Sequence, residues 1–81
     1  MRLEDIREAI QRVPFKPFRI NMTDGNSLSV VNRDFIMFAP SYRAINVYEV
    51  LSQRRYKQHL VDIMLINSLA FEEERLEVDN I

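Results

Sequence analysis

The one glycine of this 81-residue chain, Gly25, stands between two alternating stretches. Phe18, Ile20 and Met22 alternate with Arg19, Asn21 and Thr23 before it, and Leu28 and Val30 alternate with Ser27 and Ser29 after it. The pattern predicts a half-buried β-hairpin. A two-residue loop, Asp24-Gly25, would set Met22 against Ser27 and Ile20 against Ser29, mixing apolar with polar on each face. A three-residue loop, Thr23-Asp24-Gly25, sets Ile20 against Leu28 and Phe18 against Val30. The apolar residues then share one face, and because a one-residue slip would turn that face to solvent, this register is the one that buries it. It requires a type I turn followed by a left-handed residue in a G1 bulge. Gly25 falls at that left-handed position, where the absence of a Cβ removes the steric penalty.

Ahead of the hairpin, Leu3, Ile6, Ile10 and Val13 recur at helical spacing and predict an amphipathic helix over residues 2–13. Glu4 with Arg7 and Glu8 with Arg12 add helical-neighbour pairs. Pro14 disfavours helical geometry at Val13 and is the predicted stop. Pro14 and Pro17 fix their own φ angles, so "PFKPF" is expected to be extended, with three residues per turn. Phe15 and Phe18 then project on one side and Lys16 on another. Two readings follow: a brace that anchors the connector between helix and sheet, or a Pro-rich ligand for an aromatic groove. Strand patterning begins at once after the motif, which favours the brace.

Farther along, "NRDF" (32–35) reads as a corner. Residues 35–39 are apolar at every position and predict a strand covered on both faces. "PSYR" turns the chain, and "RAINVYEV" alternates again, with Ile45 and Val47 on one face and Asn46 and Tyr48 on the other. "LSQRRYKQ" reads as a polar, basic loop. Residues 59–71 begin as strand, pass through a helical turn capped by Asp62, and end as strand over Ser68 to Phe71. The acidic tail, 73–81, keeps Leu76 and Val78 in alternation, the pattern of an edge strand. The expectation is one α+β domain: an N-terminal amphipathic helix packed on a small antiparallel, barrel-like sheet of five or six strands over residues 17–72.

A chain this short buries only about 60–65% of its unfolded surface, so every buried apolar side chain counts. There is no cysteine, which excludes disulfides, thiolate nucleophiles and Cys-based zinc sites, and fits a reducing cytoplasm. "MRLEDIREAI" carries acids where a signal peptide needs an apolar core, and the longest uncharged apolar run, "IMLINSLAF", is far short of a membrane span. A cytoplasmic location with no membrane partner is therefore expected. With a formal net charge of −1, no global field draws the chain to nucleic acid.

The succession Pro14, Phe15, Pro17, Phe18, then Asp24, Gly25, then the corner aromatic Phe35 resembles a set of small, uncharacterised bacterial proteins with a Pro-Phe-x-Pro-Phe…Asp-Gly pattern. "VDIMLI" (61–66) resembles their closing strand region. Asn32-Arg33 stands where that pattern has His-Pro, and "PSYR" lacks a glycine. These motifs are structural, so the resemblance implies a fold and no chemistry. More distantly, a helix followed by short antiparallel strands is similar to Sm-like and SH3-like small barrels. Sm-like proteins bind RNA as rings, but their nucleic-acid signature positions are not recognisable here, and no binding residue is carried over.

Chemistry has little to work with. His59 is the only histidine, and a surface or packing role suits it better than that of a general base. Asp24 and Asp62 have local backbone roles, and Glu72, Glu73 and Glu74 form an acidic run without spaced partners. No catalytic residue, metal site or cofactor is expected, and the chain is read as a non-enzyme. One group points to nucleic acid: Arg54, Arg55, Lys57 and His59 around Tyr56, with Arg33 and Arg43 as outlying members. The larger expectation is self-association, or docking of another protein, through apolar surface that one helix cannot cover: Met37 in the apolar strand, Val31, Tyr48 and Val50, and Leu76 and Val78 in the tail.

Overall fold

The computed structural model describes residues 1–72. Its first hairpin joins β1 (Phe18–Met22) to β2 (Ser27–Val30). Phe18 pairs with Val30 and Ile20 with Leu28, the register that the apolar alternation demands. Gly25 N–H donates to the Met22 carbonyl at 3.1 Å, closing the turn, and Met22 N–H donates to the Asn26 carbonyl at 2.8 Å. Gly25 has φ +92°, the left-handed geometry of the bulge. The Asp24 carboxylate accepts from both the backbone and side-chain N–H groups of Asn26, fixing the exit from the turn.

Four further strands follow among the described residues: β3 (Ile36–Phe38), β4 (Ala44–Ser52), β5 (Arg55–Asp62) and β6 (Ile66–Phe71). They do not form the single barrel-like sheet expected. The chain is α+β, but its strands divide into two antiparallel sheets of three, ordered β2-β1-β6 and β3-β4-β5. The reason lies in the two crossings between sheets. Each passes through a 3₁₀ turn, Arg33–Phe35 or Ile63–Leu65. Asn32 caps the first by accepting from Asp34 N–H at 3.0 Å, and Asp62 caps the second by accepting from Met64 N–H at 2.9 Å. A 3₁₀ turn takes its residues out of the ladder, so the strands on either side of each bend belong to different sheets. The core lies between them: Ile20 and Val30 from one sheet and Ile45 and Val47 from the other are fully buried.

Helix α1 (Leu3–Gln11) contributes Ile6 and Ala9 to that core. It stops two residues short of the predicted Val13, which is 86% exposed. The cause is Pro14. In a helix the Ile10 carbonyl would accept from residue 14, and proline has no N–H to give. Arg33 takes its place: its Nε donates to the Ile10 carbonyl at 2.8 Å, and a terminal guanidinium nitrogen donates to the Arg12 carbonyl at 2.6 Å. The same guanidinium sits 5.5 Å from the centre of the Phe15 ring. Phe15 in turn lies 5.9 Å from Phe18, and Phe18 lies 5.6 Å from Phe71, so the Pro-Phe segment packs its rings against the sheet end.

Two connections differ from expectation. The stretch "LSQRRYKQ" is not a loop; β4 and β5 run through it, leaving only Gln53-Arg54 as the turn. A two-residue type I′ turn needs positive φ at both positions. Neither has it, and the ladder slips at Leu51 instead, a bulge that absorbs the mismatch. The apolar strand β3 is only three residues long, and Met37 at its centre is 62% exposed, so the described residues do not cover it on both faces.

Candidate functional site

Strand alternation across β3-β4-β5 sorts the second sheet into two unlike faces. The inner face carries Ile36, Val47 and His59 in one row, Phe38, Ile45 and Val61 in the next, and Glu49 beside Lys57 beyond the core. The outer face carries Met37, Asn46 and Leu60 in one row, Tyr48 beside Gln58, and Val50 beside Tyr56.

The predicted basic group is divided by this geometry. Arg55, Lys57 and His59 alternate onto the inner-face side, whereas Tyr56 points to the outer face, its ring 6.4 Å from that of Phe35. A base stacked on Tyr56 would therefore lie on the far side of the strand from the cations meant to hold its phosphate. Arg54 sits in the turn. Arg33, an outlying member, is committed to the helix end. His59 lies within β5, and its Nε2 is 3.0 Å from a Glu49 carboxylate oxygen. With Glu49 ionised, that nitrogen carries the hydrogen. Because Val47 faces His59 and Lys57 faces Glu49, the pair is a cross-strand diagonal that ties β4 to β5. No described residue joins it as a third member, and the described residues hold no cluster of three or more His, Cys, Asp or Glu side chains that could bind a metal.

The predicted contact residues Met37 and Tyr48 are brought onto one surface. Leu76 and Val78 lie outside the described residues. Val50, expected as exposed apolar surface, lies on the same face and is 46% exposed, whereas sequence reasoning missed two of its members, Tyr56 and Leu60, 58% and 70% exposed. The period-2 run Tyr56, Gln58, Leu60 was the available signal, masked by the charges between. The two amides on this face satisfy each other, with Gln58 Nε2 donating to Asn46 Oδ1 at 2.9 Å. Between Phe35 and Leu60 the face bears no charged side chain.

No family model matches the chain, and no curated protein or solved structure matches it either. Among the described residues no helix is long and apolar enough to cross a membrane.

Proposed function

We propose that this protein is a non-catalytic interaction module that self-associates through the outer face of β3-β4-β5. One observation carries the reading: a sheet face without charge across its central rows, on which Met37, Tyr56 and Leu60 are all more than half exposed. A two-fold interface brings a surface against its own copy, so a charge near the axis meets a like charge. The central rows of this face carry none, Asp62 beside Ala44 being the charge at its margin, and Gln58 donates to Asn46 across it. Covering it removes apolar area from water.

Size sets the strength. At about 4.8 Å per strand and 3.4 Å per residue, three strands offer on the order of 400 Å² of flat face. A stable dimer buries about 800 Å² from each partner. The face alone therefore supports a weak, concentration-dependent dimer. Sedimentation velocity tests this. The mass average should rise through the micromolar range, and Leu60→Asp should hold the chain at monomer mass with its circular dichroism unchanged, since Leu60 is mostly exposed in the monomer. A wild-type chain that stays monomeric, or a Leu60→Asp variant that assembles as well as wild type, would contradict the reading.

A further inference from the structure

Among the described residues, strand β5 is hydrogen-bonded on one side only, to β4. Two bonds fix which of its residues face the open side. Ile63 N–H donates to the Arg43 carbonyl at 3.1 Å, and the Ala44 carbonyl turns the other way to accept from Ala39 N–H at 2.9 Å. Positions 43 and 63 continue the β4–β5 register, and antiparallel partners exchange their bonds at alternate pairs. The odd-numbered residues of β5 therefore turn their N–H and C=O groups to β4, and Tyr56, Gln58 and Leu60 turn theirs outward. Space lies beside them, since the edge borders an open cleft with the hairpin residues Asn26 and Leu28 across it. Long free edges recruit strands from other chains.

The order of residues along this edge is complementary to itself. When two β5 strands pair antiparallel about a two-fold axis, outward-bonding residues must meet one another, so the central registers place the axis at Lys57, Gln58 or His59. Centred on Lys57, that cation meets its own copy. Centred on His59, Tyr56 meets the partner's Asp62 and Leu60 meets the partner's Gln58. Centred on Gln58, Tyr56 meets the partner's Leu60 on both sides of the axis, Gln58 meets itself, and Arg54 in the turn comes beside the partner's Asp62. That register sets aromatic beside aliphatic and cation beside carboxylate. On the inner side Lys57 faces the partner's His59, where the carboxylate of Glu49 held by that ring balances the cation.

We propose that two copies of this chain join edge to edge along β5, antiparallel and centred on Gln58, so that their two β3-β4-β5 sheets become one continuous sheet. Tyr56, Gln58 and Leu60 then each exchange both backbone bonds with the partner strand. The inference goes beyond the face-to-face reading, because the edge is a separate surface and either contact forms without the other. It also answers the small size of the face. Two outer faces joined at β5 offer on the order of 800 Å², and each partner of a stable complex buries about 800 Å². Two such pairs stacked by their outer faces close as a tetramer with perpendicular two-fold axes.

Single cysteines in the full chain test it, since the chain has none of its own. Gln58, Lys57 and Ser29 are all exposed, so a thiol at each leaves the core intact. In the proposed register the Gln58→Cys residues face each other across the axis at a Cα separation of about 5.5 Å, within disulfide reach. Lys57→Cys is diagonal to its own copy, about 7–8 Å away and out of reach. Ser29→Cys, on β2, reports chance collision. Under mild oxidation Gln58→Cys should form a covalent dimer on the order of tenfold faster than the other two, because pairing raises the local thiol concentration. Equal rates for Gln58→Cys and Lys57→Cys overturn the proposed register. A Gln58→Cys rate no faster than that of Ser29→Cys, with a wild type that self-associates in sedimentation, overturns the edge contact and leaves the outer-face reading standing. Selective cross-linking of Gln58→Cys in a chain whose mass never exceeds that of a dimer supports the edge and overturns the face. A monomeric wild type overturns both.

Discussion

Three single residues fix this fold, each through a backbone requirement. Gly25 holds φ +92° with nothing within 4 Å of where a Cβ would sit, so only the conformation resists substitution there. Gly25→Ala should destabilise by about 1 kcal/mol in urea titration with no change in slope; an unchanged midpoint would mean that the bulge is not needed. Tyr42, φ +59°, takes a left-handed position without a glycine, in the turn where the resembled pattern would place one. Its ring lies 5.6 Å from Phe38 and 5.8 Å from the Arg7 guanidinium, contacts that offset the strain. Arg33 is the third. Arg33→Ala should cost about 1 kcal/mol, since it frees the Ile10 and Arg12 carbonyls only to water. Hydrogen exchange should quicken in the last turn of α1 and not in β4; equal exchange at both would remove the capping role.

At the scale of elements, the turn chemistry decides what goes where. The capped 3₁₀ turns after Asn32 and Asp62 carry the chain between sheets, and the β4–β5 hairpin carries its charges along one side of β5. That arrangement predicts no salt-dependent gel shift of single-stranded RNA by the unmodified chain. A shift abolished by replacing Arg54, Arg55 and Lys57 with Ala, with the circular dichroism unchanged, would restore the nucleic-acid reading. Much of this was legible in the sequence. The hairpin register, the Asp62 cap and the inward Ile45 and Val47 all follow from local alternation and side-chain chemistry. What was not legible depends on contacts distant along the chain. Arg33 acts on carbonyls 21 and 23 residues away, and nothing in its own neighbourhood announces it. Strand β5 was hidden because Arg55, Lys57 and Gln58 read as loop until β4 supplies their partners. The number of sheets was hidden too, since short alternating strands look the same in a barrel and in two sheets.

For the whole molecule, the two sheets and the helix cover one core and leave one face bare. Ile6, Ile20, Ile45 and Val47 have no exposure, while Met37 and Leu60 on the back of the second sheet are 62% and 70% exposed. Self-association is the proposal that accounts for this bare face. Methyl NMR of the labelled full chain during dilution tests this most directly. The account predicts that the Met37 and Leu60 methyl signals move with concentration while those of Ile6, Ile20 and Ile45 stay fixed. Methyl signals of Met37 and Leu60 that are independent of concentration up to the high-micromolar range would contradict it.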